Sequence, residues 1–158
     1  MYLTTSGPVG GRPVLLLHGS MVAGWMWTEQ ARDLDEFRCL LPDMPGFDHS
    51  GAEPWTSLVG TADQVADLAR AECPSGPADV VGLSLGGLVG LHLAVRHPDV
   101  VRSLLVSGVP FGDIAWPLRV ANRLLGRLYA TPWGARIVAR AFGMPDEESR
   151  HAFVDGAT

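Results

Sequence analysis

Cysteine is scarce in this chain: the 158 residues hold two, Cys39 and Cys73, and neither has the paired spacing of a metal or redox motif. Two free, partly buried thiols are expected, and a cytoplasmic home with them. Clustered positive charge is also missing. Twelve Lys and Arg stand against 17 Asp and Glu, a net charge of −5, and no basic run is present that would track phosphates. Nucleic acid is therefore excluded as a partner. Arg119, Arg123, Arg127, Arg136 and Arg140 are spaced along predicted helices and read as a solvated face. The most apolar stretch, residues 80–95, is too short to span a membrane and carries Ser84, His92 and several glycines. The first residues lack the basic region and apolar core of a signal peptide. There are no internal repeats and no low-complexity linker. What remains is one soluble globular domain, or slightly less, without a membrane partner.

Short apolar runs alternate with helical patterns. Strands are predicted at residues 14–17, 37–41, 78–83 and 101–107, with Pro42 closing the second. Residues 4–11, rich in glycine and proline, read as a turn that leaves a short first strand around Tyr2. Residues 61–72 predict an amphipathic helix, with Val65, Leu68 and Ala69 on one face and Asp63, Gln64, Asp67 and Arg70 on the other. This order predicts an α/β fold, a mainly parallel sheet with helices on both faces. Beyond Gly112 the character changes. Residues 118–129 and 131–142 read as helices and 146–153 as the start of a third. The boundary divides a sheet-containing core, 1–112, from a helical segment, 113–158.

The most informative residues are Gly82-Leu83-Ser84-Leu85-Gly86. They match Gly-x-Ser-x-Gly, the pattern of a sharp strand-to-helix turn that exposes a serine hydroxyl above a sheet. The serine of such a turn is strained, and side chains in place of the flanking glycines would collide with the turning chain. A buried strand precedes the motif, and a helix follows it to His97-Pro98, where proline ends it. The alternative is a glycine-rich turn with a bystander serine.

Two further motifs line up with this turn: Leu17-His18-Gly19-Ser20-Met21 after one strand, and Asp43-Met44-Pro45-Gly46-Phe47-Asp48-His49-Ser50 after another. In this order and spacing the three resemble the α/β-hydrolase superfamily, in its capped, serine-nucleophile form. The resemblance runs from Tyr2 to the helices after Phe111 and makes residues 113–158 the start of the cap. It implies that Ser84 is the nucleophile and forms an acyl-enzyme. It also implies an oxyanion hole from the backbone N–H groups of Leu85 and Ser20, with Met21 the alternative to Ser20. His18 is expected to brace the loop, and Asp43, Pro45 and Gly46 to shape the neighbouring one. Asp48 stands where the family often has glycine, a departure that bears on the loop backbone.

An activated serine needs a histidine, and the histidine needs an acid. In this family both follow later strands, and the chain's last residues fall inside the expected cap. Neither position then has a counterpart. Of the local histidines, His92 points away from the turn's mouth, His97 ends the same helix, and His151 reads as a polar cap residue. His49, on a loop near the site rim, is either a local base or a loop brace. Asp113 is either an alternative acid or a helix cap. Trp25, Trp27, Trp116 and Trp133, with Met21, Met26 and Phe111, either line an apolar pocket or form ordinary core.

The reading that follows is the N-terminal part of a serine hydrolase acting on a small ester, thioester or related carbonyl substrate. No cofactor and no metal is implied. The alternative is a shortened, non-catalytic module that keeps the fold's ligand cleft. A sheet without its later strands would expose residues 101–107 as an unpaired edge, so self-association through that edge is expected.

Overall fold

The computed structural model describes residues 1–109 and Trp133. The chain divides into two compact units, Met1–Val109 and Pro110–Thr158, and the first carries the sheet. Phe111, Asp113, Trp116, His151 and the expected cap helices lie outside the described residues, apart from Trp133, which is helical and exposed.

Five strands form one sheet in the order β1-β3-β2-β4-β5. They are β1 (Leu3–Ser6), β2 (Arg12–Leu17), β3 (Phe37–Pro42), β4 (Ala78–Leu83) and β5 (Val101–Ser107). Strands β3, β2, β4 and β5 run parallel, and only β1 runs antiparallel, against β3. The mainly parallel α/β sheet is as expected from the alternation of elements.

Strand β2 shows why the sheet must be covered on both sides. Pro13 to Leu17 are all buried, and because side chains alternate, the strand serves two cores. Leu15 and Leu17 join Leu40 and Val80 in the larger cluster, where α2 (Leu58–Glu72) contributes Val65, Ala66 and Ala69, and α3 (Leu85–Arg96) contributes Val89 and Leu93. Val14 and Leu16 face the other way, with Cys39, Leu41 and Ala31 of α1 (Thr28–Asp33). Helices therefore lie on both faces. Cys39 and Cys73 are free and buried.

Three elements differ from the sequence reading. The turn assigned to residues 4–11 begins only at Gly7, which holds φ 78. Leu3 to Ser6 pair with Cys39 to Pro42 as an edge strand, where exposed Thr4 and Thr5 are well suited to extended backbone. Helix α2 starts three residues early because the Ser57 side chain accepts the Gly60 N–H at 2.9 Å and caps it. Helix α1, six residues long, is too short to show a period.

Strand β5 pairs only with β4 among the described residues, and Leu105 on it is 58% exposed. No described helix is long and apolar enough to cross a membrane. An unpaired edge is a template for strand addition, and lysine on an edge blocks it. The chain is expected to show concentration-dependent association in sedimentation velocity, reduced by Leu105→Lys. A wild-type chain that stays monomeric at all concentrations would show that this edge is not available.

Candidate active site

Ser84 sits between the last residue of β4 and the first of α3, with φ 50 and ψ −108. A side-chain-bearing residue at positive φ is costly and persists only where its surroundings impose it. They do so here. The Ser84 N–H donates to the Ser107 carbonyl at 2.8 Å, and the Ser84 carbonyl accepts from Leu88 N–H at 3.1 Å. The hydroxyl caps nothing on α3 and is partly exposed. It makes no hydrogen bond to a histidine among the described residues.

The glycines around Ser84 are needed for space. A Cβ on Gly82 would meet the Gly86 carbonyl oxygen at 2.5 Å, and one on Gly86 would strike the Leu17 carbonyl oxygen and lie 2.6 Å from that of His18. The start of α3 thus rests directly on the end of β2. Leu85 occupies the first helical position, where a backbone N–H has no partner within the helix. The positive end of the helix dipole lies beside the serine hydroxyl.

The loop after β2 lies alongside. A Cβ on Gly19 would fall 3.8 Å from the Ser84 Cβ, so Ser20 and Met21 follow directly from a residue in contact with the serine. Ser20 is exposed, and Met21 holds φ 68.

His18 is fully buried and braces this loop. Its Nε2 accepts the Met44 N–H at 2.9 Å, so the ring proton resides on Nδ1 and is donated to the Gly19 carbonyl at 2.7 Å. Phe47 packs edge-on against the ring, at 5.0 Å between centroids. Burial pushes the His18 pKa below its usual 6.5, against the opposing effects of the Gly19 bond and the Asp43 charge. With both nitrogens engaged, the ring is a brace and not a base.

Asp43, 4% exposed at its side chain, ties the other end of the same loop. Its Oδ1 accepts the Gly24 N–H at 2.8 Å, and its Oδ2 faces His49 Nδ1 at 3.1 Å. His49 stacks on Tyr2 with ring centroids 4.4 Å apart. Strand β3, which carries Asp43 beyond its end, lies two positions from β4 in the sheet, roughly 10 Å at the usual strand spacing. The structure thus brings His49 to Asp43 and not to Ser84. Asp43, Asp48 and His49 offer ligand atoms within 4.8 Å of one another, the one such grouping among the described residues.

Asp48, which replaces an expected glycine, keeps the left-handed backbone glycine favours, at φ 40. Gly46 also holds positive φ, at 84. His97 ends α3 as anticipated, donating through Nε2 to Asp63 at 2.7 Å. Trp27 packs into the smaller core. The Gly24, Met44 and Ser107 backbone partners were not foreseen, because backbone groups carry no residue-type signal.

Comparison with known proteins adds four findings. A family model described as alpha/beta hydrolase fold matches residues 12–149. The chain is 44% identical over 111 residues to the pimeloyl-[acyl-carrier protein] methyl ester esterase of Chromobacterium violaceum, covering 68% of this chain and 42% of that protein. It is 34% identical over 113 residues to lipase LipV of Mycobacterium tuberculosis, covering 67% and 40%. It thus spans about two fifths of the length of these curated relatives. Among solved structures, a thermophilic esterase from Thermogutta terrifontis shares the fold with a TM-score of 0.75 at 24% identity, over 99% of this chain and 60% of that one.

Two outcomes follow from the geometry. Gly86→Ala must push α3 off β2 and is expected to cost about 1–3 kcal/mol, the usual range for overpacking. Gly10→Ala, whose Cβ meets nothing within 4 Å, should stay within about 0.5 kcal/mol of wild type. Urea midpoints of the two variants check this. For His18, the unfolded chain takes up a proton near pH 6.5 while the folded chain resists it. Its contribution is therefore complete above that pH and is lost as pH falls toward the depressed folded value. The slope of stability against pH between 7.5 and 5 should be shallower in His18→Gln than in wild type.

Proposed function

The chain belongs to the α/β-hydrolase fold family, and from that premise we propose that the protein is a serine hydrolase with Ser84 as its nucleophile. One observation carries the reading: a serine held at φ 50 on a strand-to-helix turn, its hydroxyl uncommitted among the described residues, against the loop that follows β2. A turn of this shape presents the hydroxyl to a carbonyl carbon approaching from above the sheet. Attack forms the Oγ–C bond and places negative charge on the carbonyl oxygen. The Leu85 and Ser20 backbone N–H groups, with Met21 as alternative to Ser20, would receive that charge. Collapse of the intermediate breaks the C–O or C–S bond, and the leaving oxygen or sulfur takes up the proton that Ser84 Oγ gave up on attack. The alcohol or thiol departs to leave an acyl-enzyme for water to cleave.

Within the range of ester, thioester and related carbonyl compounds, the similarity to an esterase and a lipase favours an ester. The chemistry itself needs no cofactor.

A second reading is a ligand-binding module of the same fold. It is favoured by the lack of any bond from a described histidine to the Ser84 hydroxyl, because an unassisted serine is a poor nucleophile. Intact-mass analysis after exposure to a fluorophosphonate probe separates the two. A single adduct on Ser84, abolished in Ser84→Ala, is expected, with slow formation where no base assists. No adduct, together with saturable binding of a short-chain ester, would favour the binding module.

A further inference from the structure

We propose that Asp43, with its outer oxygen held by His49, is the positioning residue that sets the loop backbone facing Ser84. The inference rests on the serine-hydrolase reading for its catalytic meaning, but its geometry is independent of that reading.

The loop in question is short, and it is tied at both ends. At Gly19, His18 donates to the carbonyl and takes the Met44 N–H. At Gly24, Asp43 takes the N–H. Residues 20–23 thus form a bridge whose two ends are anchored on the adjacent residues Asp43 and Met44. This bridge holds Ser20 and Met21, the two residues whose N–H groups are candidates for the oxyanion hole.

Asp43 is itself fixed from three directions. Its N–H donates to the Tyr2 carbonyl at 3.0 Å, anchoring its backbone to the chain just ahead of β1. Its side chain is buried, so a wrong rotamer would leave an unpaired carboxylate oxygen away from water. His49 occupies the remaining oxygen, and its ring is in turn stacked on Tyr2. An acceptor-only carboxylate places the proton on His49 Nδ1. His49 is 60% exposed at its side chain, so it orients Asp43 from the solvent side.

This arrangement predicts an effect at a distance. Misplacing a catalytic group by about 1 Å can cost ~10²-fold in rate, and the Gly24 tie is what stops the far end of the bridge from drifting. Asp43→Ala removes the tie. Asp43→Asn keeps an oxygen acceptor for Gly24 while its amide faces His49, which can accept through Nδ1 in its other tautomer.

The test uses the full 158-residue chain in wild-type, Asp43→Ala, Asp43→Asn and His49→Phe forms. His49→Phe keeps an aromatic ring for Tyr2 and loses the donor. Amide hydrogen exchange across residues 19–24 is measured alongside the rate of fluorophosphonate labelling at Ser84. Asp43→Ala is expected to raise exchange at Gly24 at least ~10-fold, as a lost hydrogen bond allows, and to slow labelling by ~10–100-fold. Asp43→Asn should recover most of both, and His49→Phe should fall between. Unchanged exchange in Asp43→Ala, or equal effects from the Ala and Asn variants, would overturn the proposal. If no form labels, the nucleophile reading fails, and the exchange data alone decide whether Asp43 holds the loop.

Discussion

The start of helix α3 lies so close to the end of β2 that no Cβ fits between them, and the geometry at Ser84 depends on this contact. Gly86 rests against the Leu17 and His18 carbonyl oxygens, and Gly82 against Gly86. With the helix seated there, the chain must turn through a single residue between β4 and α3. That residue is Ser84, at φ 50. Its strain is sustained by neighbours on both sides: β4 is paired with β2 and β5, α3 is packed by Val89 and Leu93, and the Ser84 N–H is held by Ser107. The same contact brings the end of the helix to the loop that begins at Gly19.

The second layer of order around the site is polar. His18 and Asp43 are buried, and buried polar groups destabilise a fold unless they are paired. The His18 ring spends both nitrogens and the Asp43 carboxylate both oxygens, so the two side chains specify one loop arrangement. The ion pairs linking α2 with α3 and the turn after it differ in kind. Asp63 with Arg96, and Arg70 with Asp99, are exposed, where such pairs contribute little. Asp79, near the start of β4, is more enclosed. Burial alone would raise its pKa, yet its bonds to Ser103 and Arg12 hold it below the usual carboxylate value. It ties β4 to both neighbours at the end of the sheet opposite the site.

Much of the architecture was legible because it is written in local patterns. Strands β4 and β5 were placed to the residue, and β2 and β3 within two residues, because each is a short run dominated by apolar and β-branched side chains. Edge strand β1 was harder, because exposed threonines dilute the pattern and the nearby glycines and prolines read as a turn. The start of α2 was missed because Ser57 acts through its cap, and an apolar period does not reveal a cap.

By itself, the sequence determined the fold class and the strand-to-helix turn at Gly82–Gly86, because each follows from residue type at short range, while the bracing role of His18 was implied by the resemblance of its motif to the family's. Only the tertiary structure decided which partners those residues take. His18 meets an amide 26 residues away and Asp43 one 19 residues away, and backbone N–H groups are the same at every non-proline position. It also decided the fate of His49, which sequence left open between base and brace. Tyr2 and Asp43 hold its ring on the β1 side of the sheet, and strand order, which no local pattern encodes, puts that side away from Ser84.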